Sequence, residues 1–291
     1  MRICVACRSE LGDEISAASW RCGVCGHEPS RSGGFLAFAP DLEAAAPRYP
    51  EGYHDQIHAL EAGHFWFQAR NRMILWAIRR AFPEMRRFLE IGCGTGFVLG
   101  AVAEAFPGAE VSGSEISTAG LTHAQRRAPG AALYQMDARR IPFHSAFDLI
   151  GAFDVLEHIP EDEAVLEACA QALVPGGGLL LTVPQHPWLW SSVDAFAGHV
   201  RRYRRRELEA KLVAAGFEVA LSTSFVSLLL PMMALSRALK RGGGPEEPEL
   251  RAGPMQNALG RAAMGAEFRL MRAGVRLPAG GSLLVAARRR R

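Results

Sequence analysis

The sequence predicts an α/β protein built on a doubly wound sheet. Two observations carry that prediction. From Arg86 onward, short β-rich runs alternate with helical stretches, the pattern of a sheet covered by helices on both faces. The first of these runs ends in "LEIGCGTGF", three glycines within five positions, where a strand turns into a helix around a ligand. A third feature, two Cys-x-x-Cys pairs near the N-terminus, sets a small module in front of the sheet.

The chain has 291 residues, 49% of them hydrophobic, enough for a substantial core. Its 33 basic and 30 acidic residues give a formal charge of +3, too balanced to argue alone for a nucleic-acid or membrane partner. The first residues do not resemble a signal peptide, so a cytoplasmic location is expected. The longest strongly apolar stretch, Phe225 to Leu235, is well short of the roughly 20 residues that span a bilayer.

Cys4, Cys7, Cys22 and Cys25 have the spacing of a four-cysteine zinc ribbon. Each pair supplies two thiolates, and two facing pairs complete a tetrahedron. In a reducing compartment, disulfides are the poorer explanation. Four thiolates leave no open position, so such a metal folds the module and does not catalyse; it also brings the formal charge to about +1. Residues 1–30 are assigned to this module. Residues 31–55, rich in Gly, Pro and small side chains, read as a linker. Residues 56–291 form the main domain, entered through a helix in "HALEAGHFWFQARNRMILWAIRRAF".

Within the glycine loop, a dinucleotide fingerprint would need a third spaced glycine where this chain has Phe97. Glu90, just before the loop, would repel a pyrophosphate and attract a cation. Glu115 ends the second run, positioned to accept both hydroxyls of a ribose. Asp137 ends the third, positioned to accept from an adenine amino group. Together, at successive strand ends, these acids describe an adenosine site carrying a positive charge.

With "GSEIS", "MDARRIPF", "FDLIGAFDVLEHI", "LVPGGGLLLTVP" and "GGSLLVAARR" following in order, residues 60–230 and the last run resemble the class I S-adenosylmethionine-dependent methyltransferases. The resemblance implies a Rossmann-like, seven-stranded sheet with its last strand antiparallel. It implies a cofactor site of Glu90, Gly92, Cys93, Gly94, Thr95, Gly96, Phe97, Glu115, Ile116, Asp137, Ala138, Phe153 and Asp154. Glu115 replaces the more usual Asp with an equivalent acceptor. "FWFQARNR" resembles the cofactor-capping helix of a bacterial subset of the family, often preceded by a zinc-ribbon-like segment. This implies that Arg70 meets the methionine carboxylate and that Trp66 or Phe67 covers the donor.

Methyl transfer to a hydroxyl or protonated amine needs one base. His199, with Asp194 and Tyr203 nearby in sequence, is the first candidate because imidazole titrates in the useful range. His158, beside Asp154 and Glu157, is the second, and Tyr203 the third. Five arginines between 201 and 206 could hold phosphates of RNA or of a small molecule, or form a solvated helix start. Residues 226–278 read as a helical insertion of two amphipathic helices joined by a Gly/Pro/Glu loop. The first is apolar with a basic end, suited to roofing an apolar acceptor, touching a membrane surface or pairing in a homodimer.

The expected function is methyl transfer from S-adenosylmethionine to an oxygen or nitrogen of a small-molecule or lipid-like acceptor, by a monomer or homodimer with a structural zinc. An RNA methyltransferase and a non-catalytic binding protein are the alternatives. A nicotinamide-linked oxidoreductase is disfavoured by Glu90 and Phe97.

Overall fold

The computed structural model of the chain describes residues 1–12, 19–45, 52–239 and 252–291. The elements run β1 (Arg2–Ile3), β2 (Glu10–Gly12), β3 (Ser30–Ser32), β4 (Phe35–Ala37), α1 (Pro40–Ala45), α2 (Tyr53–Glu61) and α3 (Phe65–Ala81). They continue with β5 (Arg87–Ile91), α4 (Phe97–Ala105), β6 (Glu110–Glu115), α5 (Thr118–Arg127), β7 (Ala132–Gln135), β8 (Phe147–Phe153), α6 (Asp162–Ala172) and β9 (Leu173–Pro184). The chain ends with α7 (Ser192–Phe196), α8 (Arg205–Ala214), β10 (Phe217–Phe225), α9 (Leu230–Leu239), α10 (Pro254–Arg272) and β11 (Ser282–Arg289).

The main sheet has the order β10-β11-β9-β8-β5-β6-β7-β4-β3. Its seven strands from β5 to β11 are the seven expected, and β11 runs antiparallel to both neighbours, β9 and β10. Strand order reverses between β5 and β8, so a ligand crevice opens beyond Ile91 and Phe153. The central strands are apolar on both faces because each face is covered. Leu89, Ile91 and Ile150 enter one core, with residues of α6 and α8. Phe88 and Leu149 enter the other, with residues of α3, α4, α5 and α10.

Two features depart from the sequence reading, and a third agrees with it. The segment expected as a linker supplies β3, β4 and α1, and β4 pairs parallel with β7 through Leu36↔Tyr134 and Ala37↔Gln135. The sheet therefore has nine strands; β7 would otherwise expose a row of unpaired amides and carbonyls, and β4 satisfies them. The entry helix breaks at Gly63 into α2 and α3, because His64 leaves helical geometry to cap α3, its Nδ1 accepting from Trp66 N at 3.2 Å. The insertion holds the two expected helices, with most of its Gly/Pro/Glu loop outside the described residues. Helix α10 packs on α3 so closely that a Cβ on Gly260 would lie 2.5 Å from the Phe65 ring.

The N-terminal module is anchored to the sheet domain. Ile3 N donates to Pro142 O at 2.9 Å, and the buried Trp20 ring packs on Phe38, Tyr134 and Phe143. Cys4 Sγ lies 3.7 Å from Cys25 Sγ, and Cys7 Sγ 3.6 Å from Cys22 Sγ. These are not disulfide distances, and they match the edge of about 3.8 Å of a tetrahedron with metal–sulfur bonds of about 2.3 Å. Hydrogen bonding from Ser9 and from nearby backbone amides lowers the Cys22 thiol to about 6, favouring the thiolate that a metal needs.

Behind β9, buried Asp162 gathers three donors: Tyr203 Oη at 2.7 Å, Lys211 Nζ at 2.7 Å and Arg201 Nη1 at 2.6 Å. Burial alone would raise its carboxyl, but the Lys211, Arg201 and Tyr203 hydrogen bonds hold it below the ordinary value. Its stabilisation is therefore complete above the unfolded aspartate value and is lost as pH falls through the lower folded one. Lys211 and Arg201 are partly exposed and can rehydrate, so Asp162→Asn is expected to cost about 2–3 kcal/mol at neutral pH. Its stability should also fall less than the parent's on acidification below about pH 4, as read by urea unfolding across pH.

Candidate active site

The donor half of the crevice is built by the glycine loop. Gly92, Gly94 and Gly96 all have positive φ, at 64°, 51° and 78°. At two of them space is also lacking: a Cβ on Gly92 would lie 2.5 Å from Val155 Cγ2, and one on Gly96 2.6 Å from Ala124 Cα. The loop is thus clamped between the β8 turn and α5, which aims the start of α4 into the crevice. Thr95 and Glu61 line the crevice together. The Thr95 hydroxyl donates to Glu61 Oε2 at 2.6 Å, and Arg127 pairs with the same carboxylate while its guanidinium lies 5.0 Å from the Phe97 ring centroid. Glu61 and Arg127, 66 residues apart, escaped the sequence reading because no local pattern links them.

A cavity of about 180 Å³ lies against this loop, lined by Tyr53, Glu90, Cys93, Phe97, Phe153 and Arg70, among others. Glu90 is buried, and its Oε2 has no hydrogen-bond partner. Burial pushes its carboxyl well above the ordinary range, against the pull of nearby Arg70. An orphaned acid in such a cavity fits a ligand that brings its own positive charge and donors. Arg70 is paired with Asp154 and stacks on Trp66, 4.6 Å from the ring centroid, with Phe67 at 5.6 Å. Asp154 has φ of 60°, a left-handed conformation that aspartate tolerates and that turns the chain sharply at the end of β8.

A larger cleft of about 1620 Å³ adjoins this cavity, sharing Tyr53, His54, Gly92 and Glu115 as lining residues, with Ile116, Met136, Asp137 and Ala138 along one wall. Glu115 accepts from Gly94 N at 2.9 Å and from Ile116 N at 2.7 Å, and so braces the loop from the neighbouring strand. Asp137 accepts from Arg139 N at 2.9 Å and Arg139 Nε at 3.0 Å. Cys93 is buried, its sulfur near Gly113 on β6, so it contributes to the loop through its backbone.

The other wall carries Asp154, Val155, His158 and Gly198. The His158 ring lies 4.8 Å from that of His199, nearly perpendicular to it. Burial first, and His199 second, lower His158 to about 4, so its imidazole is neutral near pH 7. His199 Nδ1 is 3.0 Å from Asp194 Oδ1, and its Nε2 faces Glu157 Oε1 at 3.9 Å. Burial would raise Asp194, but His199, Arg202 and Arg237 draw it far below the ordinary value. Glu157 is fully buried with both oxygens unpartnered, and burial pushes it well above the usual range.

Tyr203 does not join this group. Its side chain is fully buried in the core and its hydroxyl is engaged by Asp162, so it packs the fold and does not face the cleft. Three of the five arginines are also held internally: Arg201 by Asp162, Arg202 by Asp194, and Arg205 by Ser224 Oγ and the Leu277 carbonyl. Among the described residues no helix is long and apolar enough to cross a membrane.

A family model for the methyltransferase domain matches residues 56–222, more than half of the chain. Among curated proteins, the chain is 36% identical over 109 residues to a trans-aconitate 2-methyltransferase of Variovorax paradoxus, covering 37% of this chain and 42% of that protein. It is 33% identical over 109 residues to a ubiquinone biosynthesis O-methyltransferase of Paracidovorax citrulli, covering 35% and 45%. The chain thus spans less than half the length of each of these relatives. Among solved structures, phosphoethanolamine N-methyltransferase 2 of Haemonchus contortus in complex with S-adenosyl-L-methionine superposes with a TM-score of 0.52. That match is at 19% identity and covers 76% of this chain and 53% of that one, a likeness of fold. The glycine loop, the acids at successive strand ends and the sheet with its antiparallel last strand agree with the matched family model: the chain belongs to the methyltransferase-domain family.

Proposed function

We propose that this chain is an S-adenosylmethionine-dependent methyltransferase acting on an oxygen atom of a polar small molecule. The observation that carries the reading is the adjacency of the two spaces, which share Gly92 and Glu115 as lining residues. The cavity beneath the glycine loop suits the charged end of the cofactor, the Glu115–Asp137 wall suits its adenosine, and the same cleft runs on past Asp154 to His158. An acceptor seated there would meet the donor in line, beside groups able to take its proton. Oxygen is favoured over nitrogen by the relatives named as O-methyltransferases.

When bound, S-adenosylmethionine supplies an activated methyl group on a sulfonium. The chain's own contribution is to bind, orient and screen. Glu90 would face the ligand's positive charge; Arg70 and Asp154, paired across the crevice, would position its methionine end beneath Trp66. Glu115 and Asp137 would hold the ribose and adenine. His199, fixed by Asp194, and His158 would handle the acceptor's proton. A lipid-like acceptor is the second reading, favoured by exposed Trp188, Trp190, Met232 and Leu235 on segments that Arg237 ties together. The four-cysteine module is assigned a structural zinc ion, on the sulfur spacing described above.

Three outcomes test these assignments. Methyl-labelled S-adenosylmethionine incubated with the protein and a cell extract is expected to place label in aqueous small molecules. Label in the organic phase would favour the lipid-like acceptor, label in nuclease-sensitive material would replace both with RNA, and no transfer at all would leave a binding protein. Glu90→Gln removes a buried acid that is costly without its ligand and useful with it. The variant should melt higher than the parent in the ligand-free state at pH 8, yet bind S-adenosylmethionine about tenfold or more weakly by calorimetry; unchanged affinity would remove Glu90 from the site. Elemental analysis of the dialysed protein is expected to give at least one zinc per chain, with one equivalent lost in Cys22→Ser together with stability.

A further inference from the structure

We propose that Glu157, His158 and His199 form a binding site for a divalent transition-metal ion, opening onto the acceptor end of the cleft. One ligand atom from each residue lies within 4.8 Å of the others. A common centre therefore exists within about 2.8 Å of all three, and bonds of roughly 2.0–2.2 Å to imidazole nitrogen and carboxylate oxygen need only a small inward adjustment.

Three further observations point to a ligand there. Glu157 is fully buried, and neither of its carboxylate oxygens has a hydrogen-bond partner. A buried carboxylate is normally satisfied, so two oxygens without a hydrogen bond, one of them 3.9 Å from His199 Nε2, call for a missing partner. His199 is oriented as metal-binding histidines are: Nδ1 bonds the buried Asp194 carboxylate, which leaves Nε2 directed at Glu157. Asp194 is itself fixed by Ser191 N at 2.8 Å, Arg202 Nε at 2.7 Å and Arg237 Nη1 at 3.0 Å, so the ring has little freedom. The backbone locks the two halves together, with Val200 N donating to the Glu157 carbonyl at 2.7 Å.

Two imidazoles and one carboxylate favour Mn2+, Fe2+, Co2+ or Zn2+ over Ca2+, which takes an all-oxygen shell. Three protein ligands leave positions for solvent or substrate, unlike the closed four-cysteine site. His158 lines the cleft, so those positions face the space assigned to the acceptor. The catalytic consequence rests on the methyltransferase reading. An acceptor hydroxyl bound to the ion would lose its proton to solvent near neutral pH. Its oxygen lone pair would then form the bond to the methyl carbon while the carbon–sulfur pair returns to sulfur, leaving a neutral thioether. His199 would then act as a ligand and not as the base.

The test uses the full chain with its cysteine site loaded with zinc, and Mn2+ as the probe, because Mn2+ prefers oxygen and nitrogen donors and does not displace zinc from thiolates. Loss of the free Mn2+ paramagnetic signal on titration is expected to show one saturable site per chain at submillimolar concentration. Glu157→Gln should weaken it at least tenfold, and Asp194→Asn, a positioning change, about tenfold. If Glu157→Gln does not fold, His158→Gln is expected to give the same loss. The absence of a saturable site in the parent, or parent-like binding in folded Glu157→Gln or His158→Gln, overturns the proposal. S-adenosylmethionine binding measured by calorimetry on the same samples separates the two readings. A parent that binds the cofactor but no Mn2+ sinks the metal site alone, and one that binds Mn2+ but no cofactor supports it while removing the transferase reading.

Discussion

Much of the acceptor side depends on one buried carboxylate. Asp194 accepts from the amide that starts its own short helix, from Arg202 in the segment before α8, from Arg237 on α9, and from His199. A charge buried this deeply is tolerated only when surrounded by donors, and those donors come from its own helix start, from the segment before α8 and from α9. The wall of the cleft, the orientation of His199 and the docking of the apolar helix α9 are thus set by one electrostatic requirement. Breaking it would not simply remove an ion pair, since an unpaired charge would be left inside the protein.

The donor side is organised differently, by exclusion of side chains more than by charge. Gly92 and Gly96 let the loop sit between Val155 and α5 with no room to spare. Around it, Glu115 from the neighbouring strand and the Glu61–Thr95–Arg127 group brace the same backbone. A rigid loop lets Glu90 remain an unsatisfied acid, because the surrounding structure does not relax to quench it. Strain and orphaned polar groups collect where a ligand is meant to complete the structure.

What the sequence made legible follows from how local each signal is. The seven β-rich runs, the glycine loop and the cysteine spacing are contiguous patterns, and the sheet order and the four clustered sulfurs agree with them. Glu115 and Asp137 were readable because strand ends face the crevice in any doubly wound sheet. Tyr203 was misplaced because its neighbour in sequence, His199, does meet His158 beside the cleft, and sequence gives no sign of which way a loop residue turns. Residues 31–55 were taken for a linker because small residues and prolines mask short strands, whose stability comes from pairing, β4 with β7 and β3 with β4, and not from their own propensity. Glu61 and Arg127 join across 66 residues, beyond any local period.

The strand β4 has a further consequence for the life of the chain. By occupying the edge of β7, it denies that edge to other molecules, and the new border, β3, is only three residues long and carries the charged Arg31. Trp20 joins this cover to the cysteine module, its ring packing on Phe38 just after β4, while Gln135 bonded to Ala39 and Glu43 bonded to Thr118 hold it to the sheet domain. Loss of the module's order would therefore remove the Trp20 packing from one side of this cover and leave those bonds to hold it. The small N-terminal unit thus shares in the protection of the sheet border, through the packing of one aromatic ring.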